Sequence, residues 1–309
     1  MDYRIIKQRY SGKLFINEEL RKHTTIKVGG TADLFCVVQN ENELIEVIGL
    51  AKKCKIPFVI IGCGSNIIAS DEGFRGLVIK NVWKDEITEK NCILTASSGV
   101  LLQDVVYKSE ELSLTGAEFL TGIPGTLGGA IYMNAGAFGK EMKDILDSAI
   151  ILKNNGKIET VDKSYFNFKY RNSSLKRTGD IVLKANLKLS RGNRKEISEK
   201  INEILKLRKE KHPEKNVATA GCFFKNIPSD NFSKKVSAGY LLDKIDAKNE
   251  RIGCASVFCK HANIIINEGN ATFEDIIKLT EKLKKRVKEK FNIELEREVQ
   301  ILHPEKGFK

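Results

Sequence analysis

An α+β fold built in two or more parts is what this sequence predicts, and three observations predict it. Short apolar blocks alternate with stretches whose apolar residues recur at helical spacing. A glycine turn follows one of the early strands. The chain, at 309 residues and 34.7 kDa, exceeds what a single typical core organises.

Taken in order, "LFCVV" reads as a strand and "ENELIEVIGLAKKC" as a helix with Leu44, Ile45, Ile48 and Ala51 inward. "PFVIIG" reads as a buried strand, with "GCGSN" directly after it. "NIIAS", "GLVIK" and "CILTAS" follow as strands, and "VLLQDVVYKSEEL" returns to helical period. "AIILKNNGKIETV" is a hairpin around Asn155-Gly156, "DKSYF" a capped turn and "DIVLKANLKL" an alternating strand. A helix over about 194 to 211 carries Ile197, Ile201, Ile204 and Leu205 at helical spacing and ends before Pro213. "AGYLLDKI", "NIIIN", a long helix from Thr272 to about Phe291 and a closing strand "REVQIL" complete the chain.

The expected division is a first region over 1–192, itself split near 82, and a C-terminal domain over 193–309. The last strand is left open to return to the first region.

Composition excludes several classes. The 41% hydrophobic and 30% charged balance is that of a globular protein, and no apolar run nears the roughly 20 residues of a membrane span. The start "MDYRIIKQRYSGKLF" lacks the apolar core of a signal peptide, so the expected address is the cytoplasm, with no membrane insertion. Seven cysteines, odd in number and without a C-x-x-C pair, argue for reduced thiols. Four histidines and no H-E-x-x-H leave no metal site to expect. The net charge of +12 comes from 40 lysines against 12 arginines, spread along amphipathic helices. That pattern fits solvated helix faces better than a nucleic-acid surface, and part of it can draw in an anionic substrate.

Residues 116–139, "GAEFLTGIPGTLGGAIYMNAGAFG", hold seven of the 24 glycines, a density no helix or strand needs for its own stability. Something must approach that backbone closely. With "GCGSN", the run suits a pyrophosphate held by converging N–H groups, although neither a Rossmann fingerprint nor a Walker A loop is present.

"HTTIKVGGTADLF", "GCGSNIIASDEGFRGLVI", "GAEFLTGIPGTLGGAIYMNAGAFGKE", "YRNSSLK", "AGCFFKN", "AGYLLDK" and "IELEREVQIL", in this order, resemble the UDP-N-acetylenolpyruvoylglucosamine reductase family of peptidoglycan synthesis. The resemblance runs from about residue 20 to 302 and, lacking a C-terminal inserted loop, is to the shorter, type II form. It implies a p-cresol-methylhydroxylase/vanillyl-alcohol-oxidase-type FAD-binding fold of two α+β subdomains followed by an α+β substrate-binding domain. It also implies noncovalent FAD, NADPH as co-substrate, hydride delivery to C3 of the enolpyruvyl group and protonation at C2.

By motif, Gly62, Cys63, Gly64, Ser65 and Asn66 are the first set of cofactor-binding residues that the resemblance implies. Gly122, Ile123, Pro124, Gly125, Gly128, Gly129, Asn134, Ala135 and Gly136 are the second. Arg171 is expected to bind the substrate carboxylate and stabilise the charge that builds on it, a guanidinium being permanently cationic. Glu298, rather than its neighbours Glu294 and Glu296, matches the family's active-site glutamate. Cys222 stands where most relatives carry the serine that donates the proton; its thiol is the stronger acid. Lys225 and Asn226 are expected at the substrate diphosphate and sugar, while Cys254 and Cys259 read as buried small apolar residues. A sugar or alcohol oxidase on the same FAD scaffold is the alternative reading, a basic nucleic-acid-binding protein the remote one. The sequence favours a monomer.

Overall fold

In a computed structural model, residues 3–227 and 236–308 are described. They divide into two compact units, each woven from separate lengths of chain. The first comprises 1–14, 35–62 and 78–208, and the second 15–34, 63–77 and 209–309. The dividing lines fall inside strands Thr31–Val38 and Phe74–Asn81, which therefore belong partly to each unit.

The first unit is organised by a five-stranded antiparallel sheet in the order Ile158–Asp162, Leu146–Leu152, Ile181–Lys188, Ile93–Ser97, Thr88–Lys90. Helices Leu102–Glu111 and Leu127–Met133 bury Val105, Val106, Ala130 and Ile131 against its apolar face, in one core with Ala149, Ile151, Ala185 and Leu187. Helix Arg194–Lys211 adds Ile197 and Ile201 to the same core. Leu205, expected to share that inward face, is exposed, because a fourth apolar position one residue beyond Ile204 turns past the narrow buried stripe. Helix Glu41–Lys53 likewise buries Val47 in place of the expected Ile45, alongside Leu44, Ile48 and Ala51.

In the second unit a four-stranded antiparallel sheet runs Ala218–Cys222, Ile264–Asn267, Ala255–Val257, Arg251–Ile252. Helix Phe273–Phe291 lays Ile276, Leu279, Leu283 and Val287 over it, the 3–4 residue spacing of an amphipathic helix. Its start is fixed by a capping box in which Thr272 and Asp275 exchange hydrogen bonds with each other's backbone N–H groups. A smaller sheet pairs Ile67–Ala69 in parallel with Gln300–His303, which also pairs with Gly307–Phe308. The closing strand is thus shorter than "REVQIL" suggests, leaving Glu298 just ahead of it. Among the described residues no helix is long and apolar enough to cross a membrane.

The expected hairpin around Asn155-Gly156 is present, with Leu152 opposite Ile158, and Asp180 ties it down. Asp180 accepts from the Asn154 N–H at 2.7 Å and from the Tyr165 hydroxyl, and it pairs with Lys153. Burial pushes the Asp180 carboxyl up, but those donors and the Thr178 hydroxyl outweigh it and hold the group below the usual carboxylate value. A depressed folded value stabilises the fold above the unfolded value of about 3.9 and is lost as pH falls through the folded value. Asp180→Asn should therefore lower the urea midpoint at pH 7 and flatten the acid limb of stability against pH. An acid limb as steep as that of the parent would refute the coupling.

Candidate functional site

Arg171 lies in the first unit, in the left-handed backbone region at φ +52°, a conformation that costs a side-chain-bearing residue and persists only when neighbours enforce it. The enforcement is visible. The Lys176 Nζ donates to the Arg171 carbonyl at 3.1 Å, and the guanidinium donates to the Gly136 carbonyl at 2.8 Å. Its carbon lies 5.0 Å from the Tyr170 ring centre, within cation–π range.

Asn134 sets the other side of this arrangement. It ends helix Leu127–Met133 in the left-handed conformation, fully buried, and its side chain is committed three times over. The Nδ2 group donates to Glu141 at 2.9 Å and to the Lys169 carbonyl at 3.0 Å; the Oδ1 accepts from the Lys143 N–H at 3.0 Å. One asparagine therefore joins the glycine run to the segment that carries Arg171. Gly136, two residues on, packs so closely on Lys140 that a Cβ would sit 2.3 Å from its carbonyl oxygen.

The glycines of the run serve different ends. Gly122 is left-handed at φ +69°, its N–H bound to the Gln103 Oε1 at 3.0 Å, and Gly128 abuts Ser98. The amides of Ile123, Gly128 and Gly129 are also taken, by Leu120, Ser98 and the Thr126 hydroxyl. Gly125 and Gly129 differ: a Cβ at either would meet nothing closer than 3.6 Å and 3.5 Å. Neither glycine is demanded by packing within the unit, and nothing within the unit takes the Gly125 N–H among the described residues. A surface bare of side chains beside an available amide fits the pyrophosphate of a dinucleotide. Gly62, also in this unit, faces Thr126, whose Oγ1 a Cβ would approach to 2.4 Å.

In the second unit the remaining predicted residues converge. Gly64, left-handed at φ +66°, packs under the His23 carbonyl, where a Cβ would lie 2.1 Å away, and its own carbonyl accepts from the Thr25 N–H at 3.1 Å. Thr25 then donates its hydroxyl to the Thr219 carbonyl at 2.6 Å, tying the 63–66 loop to the strand that ends at Cys222. Asn66 accepts at its carbonyl from Gln300 N–H at 2.9 Å and donates Nδ2 to the Glu298 carbonyl at 3.3 Å.

Cys222 sits half-buried at a β-bulge. Thr219 faces Ile266 and Cys222 faces Ile264, so three steps on one strand answer two on the other, with Gly221 left-handed at φ +76° inside the irregularity. A bulge re-aims the side chain that follows it. Beyond it the strand leaves the ladder, and Asn263 replaces the lost partners: Oδ1 accepts from Phe224 N–H at 2.9 Å and Nδ2 donates to Phe224 carbonyl at 2.8 Å. The chain then runs beside the Glu298 segment. Glu298 N–H donates to the Phe223 carbonyl, and Lys225 N–H to the Glu296 carbonyl, both at 2.8 Å. Cys222 and Glu298 are thereby held on adjoining backbones.

Lys225 pairs with Glu296, and the Asn226 Oδ1 accepts from Ala238 N–H at 3.0 Å, at the start of helix Ala238–Asp243. Cys254 is half-buried and Cys259 exposed, not buried as expected, because Cys259 falls in the turn between two strands. Thr25, Thr126 and Asn263 were not singled out from sequence. Thr25 does lie in "HTTIKVGG", and Asn263 is the one polar position directly ahead of the apolar run "III".

The description "UDP-N-acetylenolpyruvoylglucosamine reductase, C-terminal domain" matches residues 212–302, and "FAD binding domain" matches 32–162. The chain is 41% identical over 291 residues to the UDP-N-acetylenolpyruvoylglucosamine reductase of Caldanaerobacter subterraneus subsp. tengcongensis, covering 94% of each. It is 38% identical over 287 residues to that of Clostridium kluyveri, covering 93% of this chain and 92% of the relative. The crystal structure of the Thermus caldophilus enzyme superposes with a TM-score of 0.76 at 31% identity, over 94% of this chain and 98% of that one. The expected FAD-binding fold followed by a C-terminal α+β domain is borne out by these matches.

Removing the Asn134 side chain leaves the Lys143 N–H without a partner, takes one of the two donors from the Lys169 carbonyl, which keeps the Asn172 N–H at 3.1 Å, and puts a residue without a compensating side chain in a left-handed turn. Asn134→Ala should cost about 2–3 kcal/mol, read as a lower urea midpoint. A loss under roughly 0.5 kcal/mol would show that water replaces the side chain.

Proposed function

Because the chain belongs to the UDP-N-acetylenolpyruvoylglucosamine reductase family, we propose that it reduces the enolpyruvyl ether of UDP-N-acetylglucosamine to UDP-N-acetylmuramate with NADPH. Matches that span both the FAD-binding and the C-terminal regions favour this over a sugar or alcohol oxidase on the same scaffold. FAD, when bound, supplies the hydride channel from NADPH to C3 of the enolpyruvyl group. The uncovered backbone at Gly125 and Gly129 supports a place for its pyrophosphate in the first unit. Residues of the 62–66 and 134–136 segments are assigned to the same cofactor, held noncovalently. We further assign the cofactor role to a first region and substrate capping to a C-terminal one.

The chain's own residues have two tasks. As C3 gains hydride, negative charge builds at C2 and into the carboxylate, and Arg171 binds that carboxylate and stabilises the charge. Its enforced backbone and its bond to Gly136 keep the guanidinium from reorganising as the charge develops. The Cys222 Sγ–H then gives its proton to C2, leaving a thiolate that is reprotonated from solvent before the next turnover. Glu298 organises this acid. The observation that supports the assignment is the backbone bond from Glu298 N–H to the Phe223 carbonyl, which holds Glu298 on the backbone adjoining Cys222, next to the bulge. Lys225 and Asn226 are assigned to the substrate diphosphate and sugar; Lys225, already paired with Glu296, would exchange one anionic partner for another.

Anaerobic stopped-flow absorbance separates the two half-reactions. NADPH should bleach the flavin band, and the enolpyruvyl substrate should restore it. Cys222→Ser should keep substantial turnover, whereas Cys222→Ala should slow only the second phase, by roughly 10²–10⁴-fold. A normal second phase in the alanine variant would remove Cys222 from the mechanism. Arg171→Lys, which keeps the charge but loses the planar fork, should slow the same phase by about 10²-fold. Equal slowing of both phases would instead mark Arg171 as a structural residue.

A further inference from the structure

Asn263, whose amide closes on both backbone groups of Phe224, is itself held by a histidine two residues before it. The segment 258–263 joins strands Ala255–Val257 and Ile264–Asn267, and His261 fastens it with its own backbone. The His261 N–H donates to the Phe258 carbonyl at 3.1 Å, and its carbonyl accepts from the Ile264 N–H at 3.0 Å. The ring adds a third bond: the Asn263 N–H donates to His261 Nδ1 at 3.2 Å.

Every polar group of Asn263 is then engaged. Its N–H goes to the histidine, its carbonyl accepts from the Phe223 N–H at 2.9 Å, and its side chain takes the Phe224 N–H and carbonyl. Since the Phe223 carbonyl accepts from the Glu298 N–H, a continuous run of hydrogen bonds leads from the imidazole to the backbone of Glu298 and to the residue that follows Cys222. A ring nitrogen accepts only when it carries no proton, so the first link requires the neutral imidazole with its hydrogen on Nε2.

The surroundings of the ring favour that form. Burial pulls its pKa below the usual histidine value, and Lys248 and Lys211 act in the same direction, against the opposing pull of Asp243 and the residue's own backbone. The His212 ring lies 5.6 Å away, centre to centre, and a Cβ on Gly239, in helix Ala238–Asp243, would come within 3.5 Å of the His261 Cε1.

We propose that His261 is a positioning residue for the proton-donating pair: neutral, it fixes Asn263 and, through Asn263, the backbones that carry Cys222 and Glu298; protonated, it faces the Asn263 N–H with a second donor and lets them go. The inference rests on the assignment of Cys222 and Glu298 to the protonation of C2 and adds an acid-sensitive support to it.

The test uses the full chain loaded with FAD, taken anaerobically through reduction by NADPH and reoxidation by the enolpyruvyl substrate. His261→Phe keeps the bulk of the ring and removes the acceptor. His261→Asn supplies an Oδ1 that accepts from the N–H two residues on, as in an Asx turn, and does not titrate. At about pH 7.5, His261→Phe should slow flavin reoxidation about ten-fold, the size of one net hydrogen bond, while NADPH bleaches the flavin within about two-fold of the parent rate. His261→Asn should recover most of that loss. As pH falls from about 7.5 to about 5, the parent's reoxidation rate should drop relative to that of His261→Asn, because only the parent loses its acceptor. Cys222 and Glu298 titrate in both proteins and cancel in the ratio. A ratio that stays constant over that range overturns the proposal, as does a His261→Phe protein that reoxidises within about two-fold of the parent. Equal slowing of both phases in the two variants also overturns it, marking the histidine as a folding residue only. A parent that neither bleaches with NADPH nor recovers with the substrate overturns the functional reading itself, a result that involves no variant and is distinct from the others.

Discussion

The donor and acceptor of Asn263 closing on the two backbone groups of Phe224 is the interaction on which the second unit's irregular backbone rests. Buried peptide groups must be paired, and a strand that leaves its sheet normally loses its partners. By supplying both from one side chain, Asn263 lets the chain abandon the ladder after the bulge and run beside a segment almost 75 residues further on. The Glu298 and Lys225 N–H bonds across that new pairing follow, as does the Asn66 contact with Gln300. Phe223 and Phe224, both fully buried, hold the turn from within the core.

Asn134 does the same work in the first unit by a different route. Its left-handed backbone ends a short helix, and its amide joins three lengths of chain that share no regular secondary structure. In both units, then, an asparagine whose side chain imitates a peptide group permits irregular backbone where regular structure would aim the functional groups elsewhere. Such residues gain nothing from hydrophobic burial, and their contribution lies in the geometry they impose.

Much of this was legible in the sequence, for physical reasons that can be named. The hairpin at Asn155-Gly156 and the capped helix from Thr272 follow from local chemistry, and local chemistry is what a sequence displays. The glycine density of 116–139 was equally plain, but the division of labour within it was not. Gly128 and Gly136 answer to neighbours 30 and 4 residues away, whereas Gly125 and Gly129 answer to none, and only coordinates separate them. Cys222 and Glu298 were named from motif resemblance; the bulge and the Asn263 clamp that bring their backbones together depend on contacts some 40 to 75 residues apart, which no periodicity encodes. Helix faces misread at Ile45 and Leu205 show the limit of counting by threes and fours, since the stripe that packing selects is narrower than the apolar surface available.

The parallel pairing of Gln300–His303 with Ile67–Ala69 joins stretches separated by more than 230 residues. A ribosome delivers the two partners at opposite ends of synthesis, so the early strand waits, edge unpaired, for most of translation. Closing so large a loop is slow, and the reward comes only at the end. The 63–66 loop and the glutamate that faces it therefore acquire their final geometry together, as one late event. A polypeptide released prematurely would carry the glycine run and Arg171 yet lack this arrangement altogether.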